Sequence, residues 1–172
     1  MKRSTCMLCL SALGVVLTFV ASIIRIPIPS VRLYFHLGEV VIFVMALLFG
    51  RVAGGLAGAI GSSLADIQLG FLVWAPLSLV IKGLEGYVVG WMSEKQDGTN
   101  DIPALITGSA IMIGGYAAAT ILLFGWPALI LEVPVDIVQC SVAIAITLFL
   151  VRNVRERFPN IPKLKGRAEW KK

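Results

Sequence analysis

The chain has 172 residues, 58% of them hydrophobic and 15% charged, with a formal net charge of +5 and a mean hydropathy of +0.88. Soluble domains carry about 25% charged residues, so this composition excludes an ordinary water-soluble globule and points to one polytopic domain embedded in a lipid bilayer. The basic excess gathers at the chain ends, where it reports membrane orientation and not nucleic-acid binding.

Met1-Lys2-Arg3 and the apolar run behind it have the outline of a signal peptide. The run is long, however, and passes into Arg25-Ile26-Pro27 without a small-residue cleavage site, so it reads as a retained first helix over about Thr5–Ile24. Ser11, Ala12, Gly14 and Thr18 give that helix a small-residue groove suited to close approach by another helix. Cys6 and Cys9 form a CxxC with no second pair and no His partner, and Cys140 stands apart. Such spacing makes no disulfide framework, and the thiols read as small packing groups.

The next stretch, RIPIPSVRLYFHLGEV, carries two prolines that bias it toward extended or turn structure. It is predicted as a loop able to lie over the bundle mouth, with Tyr34 and Phe35 as aromatic belt residues. His36, without ligating neighbours in sequence, reads as an interfacial hydrogen-bonding group and not a metal ligand. A short second helix follows over about Leu37–Phe49, with Glu39 near its start. After Gly50-Arg51 comes a third, about Val52–Leu69, whose Gly54 and Gly58 form a GxxxG continued by Ala57, Gly61 and Ala65. In lipid such stripes permit tight van der Waals packing without specifying an activity. Asp66 near its far end fits either a loop-facing cap or the rim of a pocket.

The fourth stretch, Phe71–Met92, is the most informative. It is long enough to span a bilayer, yet carries Lys82 and Glu85 near its middle. A charge at that depth costs roughly 2.5–3.5 kcal/mol on insertion scales, and is kept where it faces protein, water or a ligand. Three residues apart, the two share a helical face. They are either an ion pair locking this helix to its neighbours or part of a substrate pocket, with Trp74 and Pro76 at the helix entrance.

SEKQDGTND is the strongly polar linker inside the chain. The fifth helix, about Ile102–Phe124, contains Gly108, Gly114, Gly115 and Tyr116. Gly125-Trp126-Pro127 turns the chain into a sixth, about Ala128–Val151, which places Glu132, Asp136 and Gln139 at helical spacing. Lining a polar pocket is the preferred reading of these three; solvated positions at the outer interface are the alternative. Residues 152–172 read as a basic surface tail, leaving residues 1–151 as the membrane-embedded domain. The fold class is therefore all-α, a bundle of six transmembrane helices. The positive-inside rule puts both termini, the Arg51 turn and the linker in the cytoplasm, with Arg25 and Arg32 outside against the rule.

There is no GxxxxGK[ST], HExxH or GxSxG, so the chain offers no ATP cradle and no hydrolase or metal-site signature; it is not expected to be an enzyme. Energy for any transport must come from an ion gradient, through Asp66, Glu85 or Asp136, or from a partner ATPase. A solitary ion-coupled carrier and a non-transport membrane scaffold remain the competing readings.

The segments YFHLGEVVIFVMALLFGRVAGGLAGAIGSSLADI, VWAPLSLVIKGLEGYVVG and EVPVDIVQ, in this order and spacing, resemble the substrate-binding S components of energy-coupling factor (ECF) vitamin transporters. The likeness is greatest to the riboflavin and hydroxymethylpyrimidine branch, and covers nearly all the chain except the tail. The resemblance implies a cell-membrane protein of six helices that binds a vitamin or precursor on the extracytoplasmic side. It also implies docking on a transmembrane T component driven by two cytoplasmic ATPase subunits, which use the ATP; no resident cofactor is implied. Lys82 and Glu85 match the KGLEG phrase, and Asp136 and Gln139 match the polar pair of the sixth helix. Trp74 and Tyr116, with Tyr34, are candidates to stack a flat heterocycle. Relatives often dock through an AxxxA on the first helix. Here Leu8 with Ala12, or Ser11 with Val15, occupy that spacing, so docking is expected of the small-residue face formed by Ser11, Ala12 and Gly14.

Overall fold

Apolar runs broken by Pro, Gly and polar residues fold into six helical rods, which the computed structural model describes over residues 3–27, 34–95 and 101–157. Helix α1 spans Arg3–Ile23. Strands β1 (Arg25–Pro27) and β2 (Tyr34–His36) follow, paired antiparallel with Arg25 opposite His36. The proline-rich loop thus begins and ends in a small ladder, a form that suits the extended bias of its prolines. The remainder of that loop, residues 96–100 of the linker and residues 158–172 of the tail lie outside the described residues, as do the side chains of Tyr34 and Phe35.

Helix α2 is Gly38–Phe49, and eight of its twelve residues are buried. A helix apolar all round is buried in protein or in lipid; here α2 packs against its neighbours α1, α3, α4 and α6. At 1.5 Å per residue it is only about 18 Å long, short of a roughly 30 Å hydrocarbon core. Gly50 turns the chain out of α2 at φ 87°, a left-handed conformation that a side chain would strain.

Helix α3 is one rod in three parts: α-helical Arg51–Leu56, a π-helical turn Ala57–Gly61, and α-helical Ser62–Gln68. Within the π turn, Gly58 lies against the backbone carbonyl of Lys82, where a Cβ would collide with it. This is the close approach that the glycine stripe predicts. Helix α4 runs Trp74–Lys95, starting later than the apolar run because Phe71 N–H donates to the Asp66 carbonyl at 2.8 Å and closes a turn.

Helix α5 is Ile102–Phe124, as the sequence indicates. After a 3₁₀ turn at Trp126–Ala128, α6 runs Leu129–Arg157. It continues past the expected end at Val151 because the basic stretch is good helix-former, with Arg152 and Glu156 paired at 2.9 Å across one turn and cations near the C-terminus. Around α2, Phe43, Leu47, Val89, Leu105 and Val151 form an apolar core.

A polar clasp closes one end of that core. Asp101, at the start of α5, accepts from Ser93 Oγ of α4 at 2.9 Å and from the guanidinium of Arg155 in α6. Arg155 also donates to the Leu47 carbonyl of α2 at 3.3 Å. Three helices, α1 (Thr5–Ile23), α5 and α6, are long and apolar enough to cross a membrane; α2 is a shorter apolar helix.

On α1, Ser11 and Gly14 turn inward, Ser11 buried and Gly14 set against Met45 and Ala57. Of the three residues expected to form the docking face, only Ala12 is exposed, beside Leu8, Leu13 and Val16. The reason lies within the chain: α1 uses its small residues to approach α2 and α3, so they are already covered.

Candidate functional site

At the end of the bundle opposite the clasp, α2, α4, α5 and α6 bring charged side chains together between apolar walls. Lys82 is the hub. Its ammonium is ion-paired with Glu39 of α2 and lies 3.4 Å from Glu85 Oε2, one turn along α4. All three are buried: Lys82 is 2% exposed, Glu39 and Glu85 are fully enclosed. The same ammonium sits 5.3 Å from the centroid of the Tyr116 ring, in reach of a cation–π contact.

Aromatic side chains make one wall. Tyr116 Oη and Ser78 Oγ share a hydrogen bond at 2.6 Å, which fixes the ring between α4 and α5. Trp74 lies 5.8 Å from Tyr116 at 40° and 5.9 Å from Phe124 at 24°, so the three rings line the mouth of the α4–α5 junction.

Helix α6 supplies the opposite wall. Asp136 lies within electrostatic reach of Lys82, Glu132 and Glu85. Its Oδ2 is buried and accepts no hydrogen bond among the described residues; the same holds for Glu85 Oε1. Such orphaned oxygens are costly in a folded interior and call for an explanation. Glu132 is held differently, accepting from Thr120 Oγ1 at 2.6 Å. Gln139 Oε1 accepts from the backbone N–H of His36 at 3.4 Å and so ties strand β2 to α6. His36 Nδ1 in turn accepts from Gly38 N–H at 3.2 Å at the start of α2.

The six residues expected at a binding site therefore converge. Trp74, Lys82, Glu85, Tyr116 and Asp136 share the layer, and Gln139 borders it through His36. Glu39, Ser78 and Phe124 were not singled out by the sequence reading. Glu39 carried the best signal, an acid in an otherwise apolar helix, but acids in a first turn are ordinarily explained by the helix dipole. An apolar groove of about 550 Å³ runs between α3 and α4, lined by residues including Gly55, Leu79, Gly83 and Tyr87. It has little polar lining with which to orient a polar ligand.

Comparison with known proteins agrees with this architecture. A family described as "ECF-type riboflavin transporter, S component" matches residues 2–156. An uncharacterised protein of Pyrococcus woesei is 38% identical over 133 residues, covering 75% of this chain and 87% of that protein. The thiamine precursor transporter HmpT of Lactococcus lactis subsp. cremoris is 32% identical over 145 residues, covering 83% of this chain and 84% of HmpT. With its apolar helices, this makes the chain an integral membrane protein and a transporter subunit, not an enzyme. The chain belongs to the family of ECF transporter S components.

Proposed function

We propose that this subunit binds a water-soluble vitamin or precursor (riboflavin, hydroxymethylpyrimidine or a similar flat heterocycle) on the extracytoplasmic side for ATP-driven uptake. The observation that carries the reading is the layer itself, where orphaned carboxylate oxygens of Glu85 and Asp136 stand beside an aromatic wall. Trp74 and Tyr116 would stack the ring, while Lys82, Glu85, Asp136 and Gln139 saturate its edge. Discrimination follows because each polar group left unpaired on burial costs about 1–3 kcal/mol.

Orientation follows from charge. Arg51, Lys95, Arg152, Arg155 and Arg157 all belong to the clasp end, which the positive-inside rule places in the cytoplasm with both termini. The chain has no nucleotide-binding motif of its own. A transmembrane T component, contacting the exposed face of α1 around Ala12, and two cytoplasmic ATPase subunits would supply the drive.

Native mass spectrometry of the purified protein, with identification of any released molecule, tests the reading. A stoichiometric vitamin supports it. A protein that carries none, and whose unfolding temperature a panel of water-soluble vitamins leaves unchanged, refutes it. Asp136→Ala should weaken binding of the identified ligand at least tenfold, about 1.4 kcal/mol.

A further inference from the structure

We infer that the site selects a flat nitrogen base, protonated or carrying an amino group, over a neutral flavin or a phosphorylated ligand. This rests on the reading of the layer as the ligand site. Four carboxylates, Glu39, Glu85, Glu132 and Asp136, meet there, and among the described residues Lys82 is the cation that faces them. Arg25 and Arg32 of the first connection have no described side chains.

Charge and donor count both favour such a ligand. An ionised carboxylate only accepts hydrogen bonds, and an ammonium has three donors to offer. Those of Lys82 are directed at Glu39 and Glu85. Glu132 takes a donor from Thr120. What remains is acceptor capacity: Glu85 Oε1, on a fully enclosed side chain, and Asp136 Oδ2 have no donor among the described residues. The complementary ligand edge is rich in N–H groups. A protonated ring nitrogen beside an exocyclic amine presents two parallel donors, the arrangement that a carboxylate accepts in bidentate fashion. Its positive charge also offsets the excess of carboxylates, and the Trp74 ring beside Tyr116 offers an aromatic surface to a cationic ring.

The rejected classes fail on the same grounds. The edge of a flavin ring offers one imide N–H among carbonyl and ring-nitrogen acceptors, so most of it would meet acceptors. A phosphate ester would bring further negative charge among carboxylates in a poorly screened interior.

Titration calorimetry on the full-length protein in detergent, with hydroxymethylpyrimidine, its monophosphate and riboflavin as probes, tests the inference. Hydroxymethylpyrimidine should bind at least about tenfold tighter than either of the others. Glu85→Gln and Asp136→Asn should each remove about tenfold of that affinity. Asp136 is only partly buried, so its variant remains informative if Glu85→Gln fails to fold. Riboflavin or the monophosphate binding as tightly as hydroxymethylpyrimidine overturns the inference and leaves the vitamin-carrier reading intact. Unchanged hydroxymethylpyrimidine affinity in folded Asp136→Asn overturns it as well. If none of the three binds, nor any member of a wider vitamin panel, the carrier reading itself falls and takes the inference with it.

Discussion

At one end of the bundle Asp101 has a donor on each carboxylate oxygen, Ser93 on one and Arg155 on the other, and Arg155 reaches on to the Leu47 carbonyl. At the other end Lys82 is shared between Glu39 and Glu85, while Glu85 Oε1 and Asp136 Oδ2 accept no hydrogen bond among the described residues. The same helices, α2, α4, α5 and α6, build both clusters. Along α4 they are separated by the rise from Glu85 to Ser93, about 12 Å at 1.5 Å per residue. A cluster whose acceptors are all matched ties helix ends together. One with carboxylates in excess is a poor fastening, since a half-satisfied polar network is less stable than a matched or apolar one. The contrast separates a matched cluster that fastens helix ends from one that leaves buried acceptors without donors among the described residues.

The sharpest way to break this contrast is Lys82→Met. It leaves Glu39 and Glu85 enclosed without their cation, and breaking a buried pair in this way costs roughly 3–5 kcal/mol. Chemical unfolding in detergent should show a loss of that size, and adding Glu39→Gln to the same chain should recover much of it. No loss in the single variant would mean that Lys82 is not the hub of the layer. Next in size is Asp101→Ala, which removes hydrogen bonds to charged partners worth about 1.5–3 kcal/mol. Stability should fall while affinity for the identified ligand holds; a matching fall in affinity would show that the two ends are not independent. The smallest effect is expected of Arg152→Ala. Its pair with Glu156 is exposed on both sides (82% and 63%), and exposed pairs contribute little. A measurable shift in unfolding there would show that the far end of α6 is more than a solvated helix.

The contrast also explains what could be read from the sequence. Helix number followed from apolar runs and their Pro, Gly and polar breaks, and for α5 both ends agreed with the structure. Lys82 and Glu85 stood out because charge inside a long apolar run has few innocent explanations. Glu39 did not, since its first-turn position already had one. The clasp was illegible for a different reason. Asp101 and Arg155 are 54 residues apart, in a linker and a stretch read as tail, and nothing local marks them as partners. The extension of α6 through Arg157 creates that partnership, which makes the missed helix end and the missed clasp one omission. Likewise, burial of Ser11 and Gly14 depended on which face of α1 meets Met45 and Ala57, a matter of rotation that a stripe of small residues leaves open.

The π-helical turn at Ala57–Gly61 acts as a phase shifter in α3. A π turn accommodates an extra residue within an otherwise α-helical rod, and one residue of an α-helix corresponds to about 100° of rotation at 3.6 residues per turn. The turn therefore sets the angular offset between the half of α3 that begins at Arg51 and the half that ends at Gln68. With it, Gly58 meets the Lys82 carbonyl, Gly61 meets Thr18 of α1, and Asp66 comes within electrostatic reach of Tyr116. A chain of the same length with an uninterrupted α-helix here would keep its hydrophobic composition while pointing Asp66 about 100° away. The polar layer thus depends on a rotational setting encoded in five small or aliphatic residues, none of which carries a charge.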